Sequence, residues 1–295
     1  MRLLVVGREG QVARSLREAA AGENDIVLQS VGRPDADLLR PGALAAAIAQ
    51  FRPDIVVNTA AYTAVDKAED ETDLAFAINR DGAGEVAAAA ASQHAPVIHF
   101  STDYVFDGRK PTPYDEQDSP NPQGVYGRSK LEGELAVMSA NTRNIVLRTS
   151  WVYAPFGSNF VRTIRRKLVE GQCLRIVNDQ TGCPTYAPDI AGATIALARR
   201  LSQAGWRSDY AGVTNIAGPD ALTWYDFARL IAKRSTSGGA GSSEIVPVSS
   251  AEYSARAIRP ANSRLSTTRL QSVFDIRLPA LAASLDDCLD RISQE

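Results

Sequence analysis

Tyr126 and Lys130 stand four residues apart in Pro122-Gln-Gly-Val-Tyr126-Gly-Arg-Ser-Lys130. Thr102 ends an apolar run, Val97-Ile-His-Phe-Ser-Thr102, that reads as a buried strand. A phenol, an ammonium and a hydroxyl can together move a proton to or from a sugar or alcohol oxygen. Residues i and i+4 share one face of a helix, so both heads can reach the same cleft. An ammonium beside a phenol lowers its ordinary value of ~10 by about 1–3 units, which would bring Tyr126 toward useful acid–base range. The plainer alternative has Tyr126 as a packed helix aromatic and Lys130 as a solvated charge. The N-terminus decides between the two.

There, Gly7-Arg-Glu-Gly10-Gln-Val-Ala13 directly follows the apolar run Leu3–Val6 and opens a helical stretch. In this G-x-x-G-x-x-A pattern Gly7 permits a tight turn and Gly10 lets backbone approach a pyrophosphate. Ala13 allows close helix–strand contact. Gly7, Gly10, Gln11 and Val12 are therefore expected to bind a dinucleotide, and a nicotinamide would make the proton chemistry a hydride transfer. Lys130 would hydrogen-bond the nicotinamide ribose, and Thr102 would hold the substrate oxygen beside the phenol. The second strand ends in Val31-Gly32-Arg33 with no carboxylate for a plain ribose diol. An arginine there fits a 2′-phosphate, so Arg33 is expected to favour NADPH over NADH.

The elements that must position these groups can be read from apolar periodicity. Strands are expected at Leu3–Val6, Ile26–Leu28, 54–58, 97–101 and 145–148. Helices are expected at Gln11–Ala21, Leu44–Phe51, Asp73–Gln93, Val125–Ser139 and Ala187–Leu201. Short continuous apolar strands alternating with helices predict an α/β fold with a doubly wound parallel sheet of Rossmann type. After about Val152 prolines and glycines increase, which predicts a smaller C-terminal α+β substrate domain. The expected division is 1–152 for the dinucleotide-binding domain and 153–295 mainly for the substrate side, with 187–217 returning to the sheet. Ser235–Ser243 reads as a flexible connector.

Composition narrows the class. The 295 residues are 44% hydrophobic and 22% charged, with a net charge of −2. That balance does not suggest capture of nucleic acid or of an anionic membrane. No stretch approaches the roughly 20 apolar residues of a spanning helix. Three scattered cysteines without a C-x-x-C pair fit a reducing cytoplasm. His94 and His99 have no partner spacing for zinc, and no metal is expected in the catalytic step.

The motifs, taken together, resemble the extended short-chain dehydrogenase/reductase superfamily and, within it, the dTDP-4-dehydrorhamnose reductase family. The likeness runs nearly end to end. It includes Gly7-x-x-Gly10-Gln11-Val12, Arg52-Pro-Asp-Ile-Val-Val-Asn58, Ala60-Ala-Tyr-Thr-Ala-Val-Asp66-Lys-Ala-Glu69 and Ser101-Thr-Asp-Tyr-Val-Phe106. Tyr126-Gly-x-x-Lys130, Arg148-Thr-Ser-Trp-Val-Tyr153, Asn178-Asp-Gln-x-Gly182-x-Pro-Thr185 and Arg259-Pro-x-Asn-Ser-Arg-Leu265 complete it. Ala13 departs from the glycine common at the third fingerprint position.

The resemblance implies NADPH-dependent reduction of the 4-keto group of dTDP-4-dehydro-L-rhamnose to dTDP-L-rhamnose, with Tyr126 as proton donor. It places Ala60, Ala61 and Tyr62 against the cofactor at the end of the fourth strand. Asp37 and Leu38 would reach the adenine edge, although a turn aspartate is the simpler account of Asp37. Val65, Thr102, Asp103, Tyr104 and Trp151 would line the deoxysugar, Trp151 as a flat apolar wall. Arg259 would pair with the diphosphate. Asn79 is given a structural role near the site. The resemblance also leaves room for a homodimer. Two other functions compete: an epimerase or dehydratase of the superfamily, and a regulatory subunit like that of methionine adenosyltransferase. Dehydratases carry acidic residues just after the strand threonine, whereas here Asp103 is followed by Tyr104. The intact Thr102, Tyr126 and Lys130 speak against a purely regulatory role.

Overall fold

The computed structural model describes all residues except 41, 236–243, 254 and 295. Most of the expected connector Ser235–Ser243 therefore lies outside the described residues. The first half of the chain runs β1 (Arg2–Val6), α1 (Gln11–Ala21), β2 (Val27–Val31), α2 (Ala43–Phe51), β3 (Ile55–Asn58) and α3 (Val65–Ala68). It continues with α4 (Thr72–Phe76), a π-helical segment (Ala77–Gly82), α5 (Ala83–Ser92), β4 (Val97–Thr102), α6 (Val125–Ala140) and β5 (Asn144–Thr149). The second half runs β6 (Val152–Tyr153), α7 (Phe160–Val169), β7 (Leu174–Val177), β8 (Thr181–Gly182), β9 (Thr185–Tyr186), α8 (Ala187–Ala204) and β10 (Gly212–Asn215). Then come β11 (Leu222–Thr223), α9 (Trp224–Ser235), β12 (Ile245–Val248), α10 (Ser250–Tyr253), α11 (Thr268–Phe274) and α12 (Leu281–Ser293).

Six strands form one sheet in the order β10-β5-β4-β3-β1-β2, and every pairing in it is parallel. Strands β3 and β4 are buried along their whole length, which is why they read as unbroken apolar runs. Helices cover both faces. Leu3, Val5 and Ile98 pack with α1 and α8, while Leu4, Val56 and Val97 pack with α2 and α5. This is the doubly wound, Rossmann-type parallel sheet. The chain leaves the sheet after β5 and comes back through α8 and β10. The intervening and following segments form short strand pairs, β7 with β12, β8 with β11 and β6 with β9, around a separate cluster that includes Val161, Phe227 and Leu285.

Two elements differ from the sequence reading. Edge strand β2 reaches Val31, because its alternating exposed and covered residues (Gln29, Ser30) hide it from a search for apolar runs. The long helix expected over 73–93 is interrupted by the π segment at Ala77–Gly82, a backbone irregularity that commonly marks a working site.

Strand order reverses between β1 and β3, whose carboxyl ends therefore border a crevice. Gly7 follows β1 with φ +123°, and a Cβ there would fall 2.3 Å from Thr59 Oγ1, just past β3. Only glycine permits both that backbone and that approach.

Candidate active site

Thr102 ends β4, at the carboxyl edge of the sheet. Its hydroxyl donates to Asp103 Oδ1 at 3.0 Å and accepts the Tyr104 N–H at 3.2 Å. Helix α6 lies across this edge, and its glycines let it come close. A Cβ on Gly127 would sit 2.2 Å from the Tyr104 carbonyl, and one on Gly133 would sit 2.0 Å from the Asn79 carbonyl. The helix start is fixed by Glu69, whose Oε1 accepts the Val125 N–H at 2.8 Å. Tyr126 follows directly, its ring edge-on to Tyr104 with centroids 5.5 Å apart. The structure thus brings Thr102, Asp103, Tyr104 and Tyr126 together, with Lys130 one turn along the same helix.

Electrostatics reverse one expectation. Burial pushes the Tyr126 phenol up to about 12; the Thr102 hydroxyl pulls the other way and Asp103 adds to the rise. Lys130 does not lower it, because the ammonium is aimed elsewhere. Lys130 is 2% exposed. Its Nζ donates to the Phe100 carbonyl at 2.7 Å and lies 3.5 Å from His99 Nε2. Burial brings Lys130 down to about 8, with Glu134 opposing. A phenol held protonated at neutral pH is suited to giving a proton rather than taking one. Asp103 is raised to about 6 by burial, which the nearby Ser263 and Thr102 hydroxyls only partly offset, and its Oδ2 has no hydrogen bond.

Beneath the site, Arg148 and Glu134 form a buried bidentate pair at 2.8 and 2.6 Å, and Ser101 donates to the same carboxylate at 2.5 Å. Asn79, in the π segment, ties two walls together. Its amide accepts the Tyr62 N–H at 2.8 Å and donates to Tyr62 O and to Ser129 Oγ of α6. Asn79 thereby holds the loop after β3 against the helix that carries Tyr126.

The dinucleotide side fits its expected group. Helix α1 begins after Gly10 with no side-chain cap and no acidic residue in its first turn, so its N–H groups are open to an anion. The Gln11 side chain bridges Asn159 Nδ2 at 2.9 Å and the Val152 carbonyl at 3.4 Å, which leaves its backbone N–H at the start of α1. Val12 packs among Ala154, Phe156 and Ala187. Ala60, Ala61 and Tyr62 follow β3, the third strand and not the fourth, and the Ala60 backbone lies against Gly7. Arg33 is exposed beyond β2. Beside it stands Arg8, which the sequence reading passed over. Arg8 donates to the Arg33 carbonyl at 3.3 Å and pairs with Asp35 at 3.0 Å. Asp37 accepts the Leu39 N–H at 3.0 Å, the turn role, while Leu38 packs on Gly82 of the π segment.

The substrate side is more widely spread. Val65 opens α3, partly exposed, and the next residue, Asp66, pairs with Arg259 at 2.8 Å and accepts the Ala257 N–H at 3.0 Å. Arg259 is therefore already engaged by a carboxylate, though its Nε is buried without a partner. Trp151 takes a left-handed backbone (φ +47°) and stacks on Trp224 with centroids 3.4 Å apart and planes 7° apart. A Cβ on Gly182 would fall 2.2 Å from the indole Cε2. Trp224 gave no signal in the sequence; an aromatic opening a helix usually reads as core. Among the described residues no group of three or more His, Cys, Asp or Glu could hold a metal ion. No described helix is long and apolar enough to cross a membrane.

Comparison with known proteins agrees with this geometry. The family described as RmlD substrate binding domain matches residues 1–294. The dTDP-4-dehydrorhamnose reductase of Sinorhizobium fredii (strain NBRC 101917 / NGR234) is 46% identical over 279 residues, 95% of this chain and 93% of that one. The chain belongs to the dTDP-4-dehydrorhamnose reductase family. The solved reductase of Clostridium acetobutylicum is 33% identical with a TM-score of 0.90, covering 99% of this chain and 100% of that one. That of Bacillus anthracis, solved in complex with NADP, is 32% identical with a TM-score of 0.87, covering 99% and 98%.

Proposed function

We propose that this protein reduces the 4-keto group of dTDP-4-dehydro-L-rhamnose to give dTDP-L-rhamnose, using NADPH, with Tyr126 as the proton donor. The observation that carries the reading is the Tyr126 ring set against Tyr104 beside Thr102, at the carboxyl end of β4, in a chain of this family. When bound, NADPH supplies the hydride.

The protein's own residues do the rest. The Gly7–Gly10 turn and the open α1 N-terminus receive the pyrophosphate, and Val12 backs that turn. Arg33, with Arg8, receives the 2′-phosphate, for which bidentate guanidinium contacts are suited. Ala60, Ala61 and Tyr62 bound the crevice, and Leu38 with the Asp37 turn walls its far end. Thr102 orients the substrate oxygen and Tyr126 protonates it as negative charge develops there. Lys130, anchored on the Phe100 carbonyl, would hydrogen-bond the nicotinamide ribose when the cofactor is bound. Val65, Asp103, Tyr104 and Trp151 enclose the deoxysugar, and Arg259 meets the diphosphate after exchanging Asp66 for it. In this reading residues 153–295, which contribute Arg259, close the substrate side over the groups that 1–152 supplies. Three free cysteines, Cys183 and Cys288 of them buried, suit a reducing cytoplasm. A homodimer is the remaining element, and sedimentation would test it.

The test supplies NADPH and dTDP-4-dehydro-L-rhamnose and follows NADPH absorbance together with product identity. Stoichiometric NADPH loss with dTDP-L-rhamnose formed is expected. Folded protein that binds NADPH and turns nothing over would overturn the reading.

A further inference from the structure

Behind Lys130 lies a buried chain of polar groups that the reaction just described does not use. Register pairs Asn58 of β3 with His99 of β4. Asn58 is 1% exposed and His99 is fully buried. The Asn58 amide is oriented by the backbone: its Oδ1 accepts the Ala60 N–H at 3.2 Å. Its Nδ2 therefore faces His99 Nδ1, at 3.1 Å, as a donor. An imidazole nitrogen that accepts cannot carry the proton, so in the neutral ring the proton belongs on Nε2. That nitrogen is the one 3.5 Å from Lys130 Nζ. The ring thus presents an N–H, not a lone pair, to the ammonium, whose short hydrogen bond is the one to the Phe100 carbonyl.

We propose that His99 is a positioning residue for Lys130: Asn58 locks the Nε2–H tautomer, and the N–H presented to Lys130 turns the ammonium to the Phe100 carbonyl and weakens its hold on its proton. The inference rests on the reading of Lys130 as part of the catalytic group. Burial and the neighbouring Lys130 hold His99 well below its ordinary value, so the ring stays neutral. The other charged groups around Lys130 leave this arrangement in place. Glu134 of its own helix favours the ammonium but is committed to Arg148 of β5 and Ser101 of β4. Asp103 and Tyr104, from the turn after β4, act on Tyr126. Loss of the Lys130 proton turns the contact from a poor one into a good one, because a neutral amine can accept the Nε2–H.

The chain has only two histidines, so nitrogen NMR of labelled protein reads the His99 tautomer directly, its signals told from those of the exposed His94. The wild type should show Nε2–H alone, unchanged through mildly acidic pH. Asn58→Asp keeps an acceptor for Ala60 but turns a carboxylate to Nδ1, so the tautomer should flip to Nδ1–H. The alkaline limb of both NADPH affinity and reduction rate should then move up by about one pH unit. His99→Gln, whose carbonyl and amide fall near the former Nδ1 and Nε2–H, should keep the limb in its wild-type position, whereas Asn58→Asp moves it. A wild-type Nδ1–H tautomer overturns the proposal, whether or not either variant folds. So does an unmoved limb in an Asn58→Asp protein whose tautomer has flipped. The NMR and NADPH-affinity readings hold independently of the keto sugar, so a failure of the substrate assignment is told apart from a failure of this one.

Discussion

The catalytic wall and the arginine rim of the same crevice are built on opposite terms. In the wall, Lys130, Glu134 and Arg148 are buried, and their partners are the protein's own carbonyls, carboxylates and hydroxyls. On the rim, Arg8 and Arg259 are partly exposed and paired with Asp35 and Asp66. The wall is finished before any ligand arrives, so its geometry costs nothing to assemble at the moment of reaction. If these arginines meet phosphates as proposed, they trade carboxylates for them, so each gives less affinity than a free one and resists anions that cannot displace its partner. In this account rate resides in the wall, and affinity and choice of ligand reside on the rim.

The largest effect should come from breaking the wall. Glu134→Ala strands Arg148 without its buried carboxylate, and should cost about 3–5 kcal/mol of stability, read as a lower denaturant midpoint. A loss under about 1 kcal/mol would mean that the pair behaves like a surface one. The next effect sharpens the difference by pH. Lys130 has a folded value near 8, below its unfolded value of ~10.4, so the ammonium is present below pH 8 and lost above it. Reduction rate should fall as pH rises past about 8. Over the same window the unfolded state binds more protons than the native one, so Lys130's own contribution makes stability rise. Activity and stability should therefore part company on the alkaline side, as paired rate and melting series would show.

The rim should give smaller, ligand-specific changes. Arg33→Ala is expected to weaken NADPH binding by about tenfold while leaving NADH binding nearly unchanged, by fluorescence titration of both. Arg8→Ala should follow the same direction. Asp66→Ala frees Arg259 and should alter substrate KM by a few-fold with little change in kcat, since one exposed ion pair is worth about 0–1 kcal/mol.

The same contrast explains what could be read from the chain. Strands β1, β3, β4 and β5 are continuous apolar runs, and Tyr126 and Lys130 announce themselves by helical spacing. Gly7 and Gly10 do so by following a strand. What escaped reading depends on distant partners. Arg8 matters because β2 ends beside it, and Asp66 because Arg259 returns to it nearly two hundred residues later. Trp224 matters because a left-handed Trp151 lies flat on it. The π segment at Ala77–Gly82 is a backbone hydrogen-bond pattern with no side-chain signature. The expectation that Lys130 would acidify Tyr126 failed for a related reason. Spacing puts the two heads on one face, but the Phe100 carbonyl claims the ammonium and burial dominates the phenol.

The most direct test of this division is hydride transfer in a single turnover at saturating NADPH and keto sugar, comparing Tyr126→Phe with Arg33→Ala. Tyr126→Phe should bind NADPH as the wild type does yet transfer at least about a hundredfold more slowly, while Arg33→Ala should transfer at close to the wild-type rate once saturated. A Tyr126→Phe protein that reduces the sugar at the full rate, or an Arg33→Ala protein that stays slow at saturation, would contradict that division.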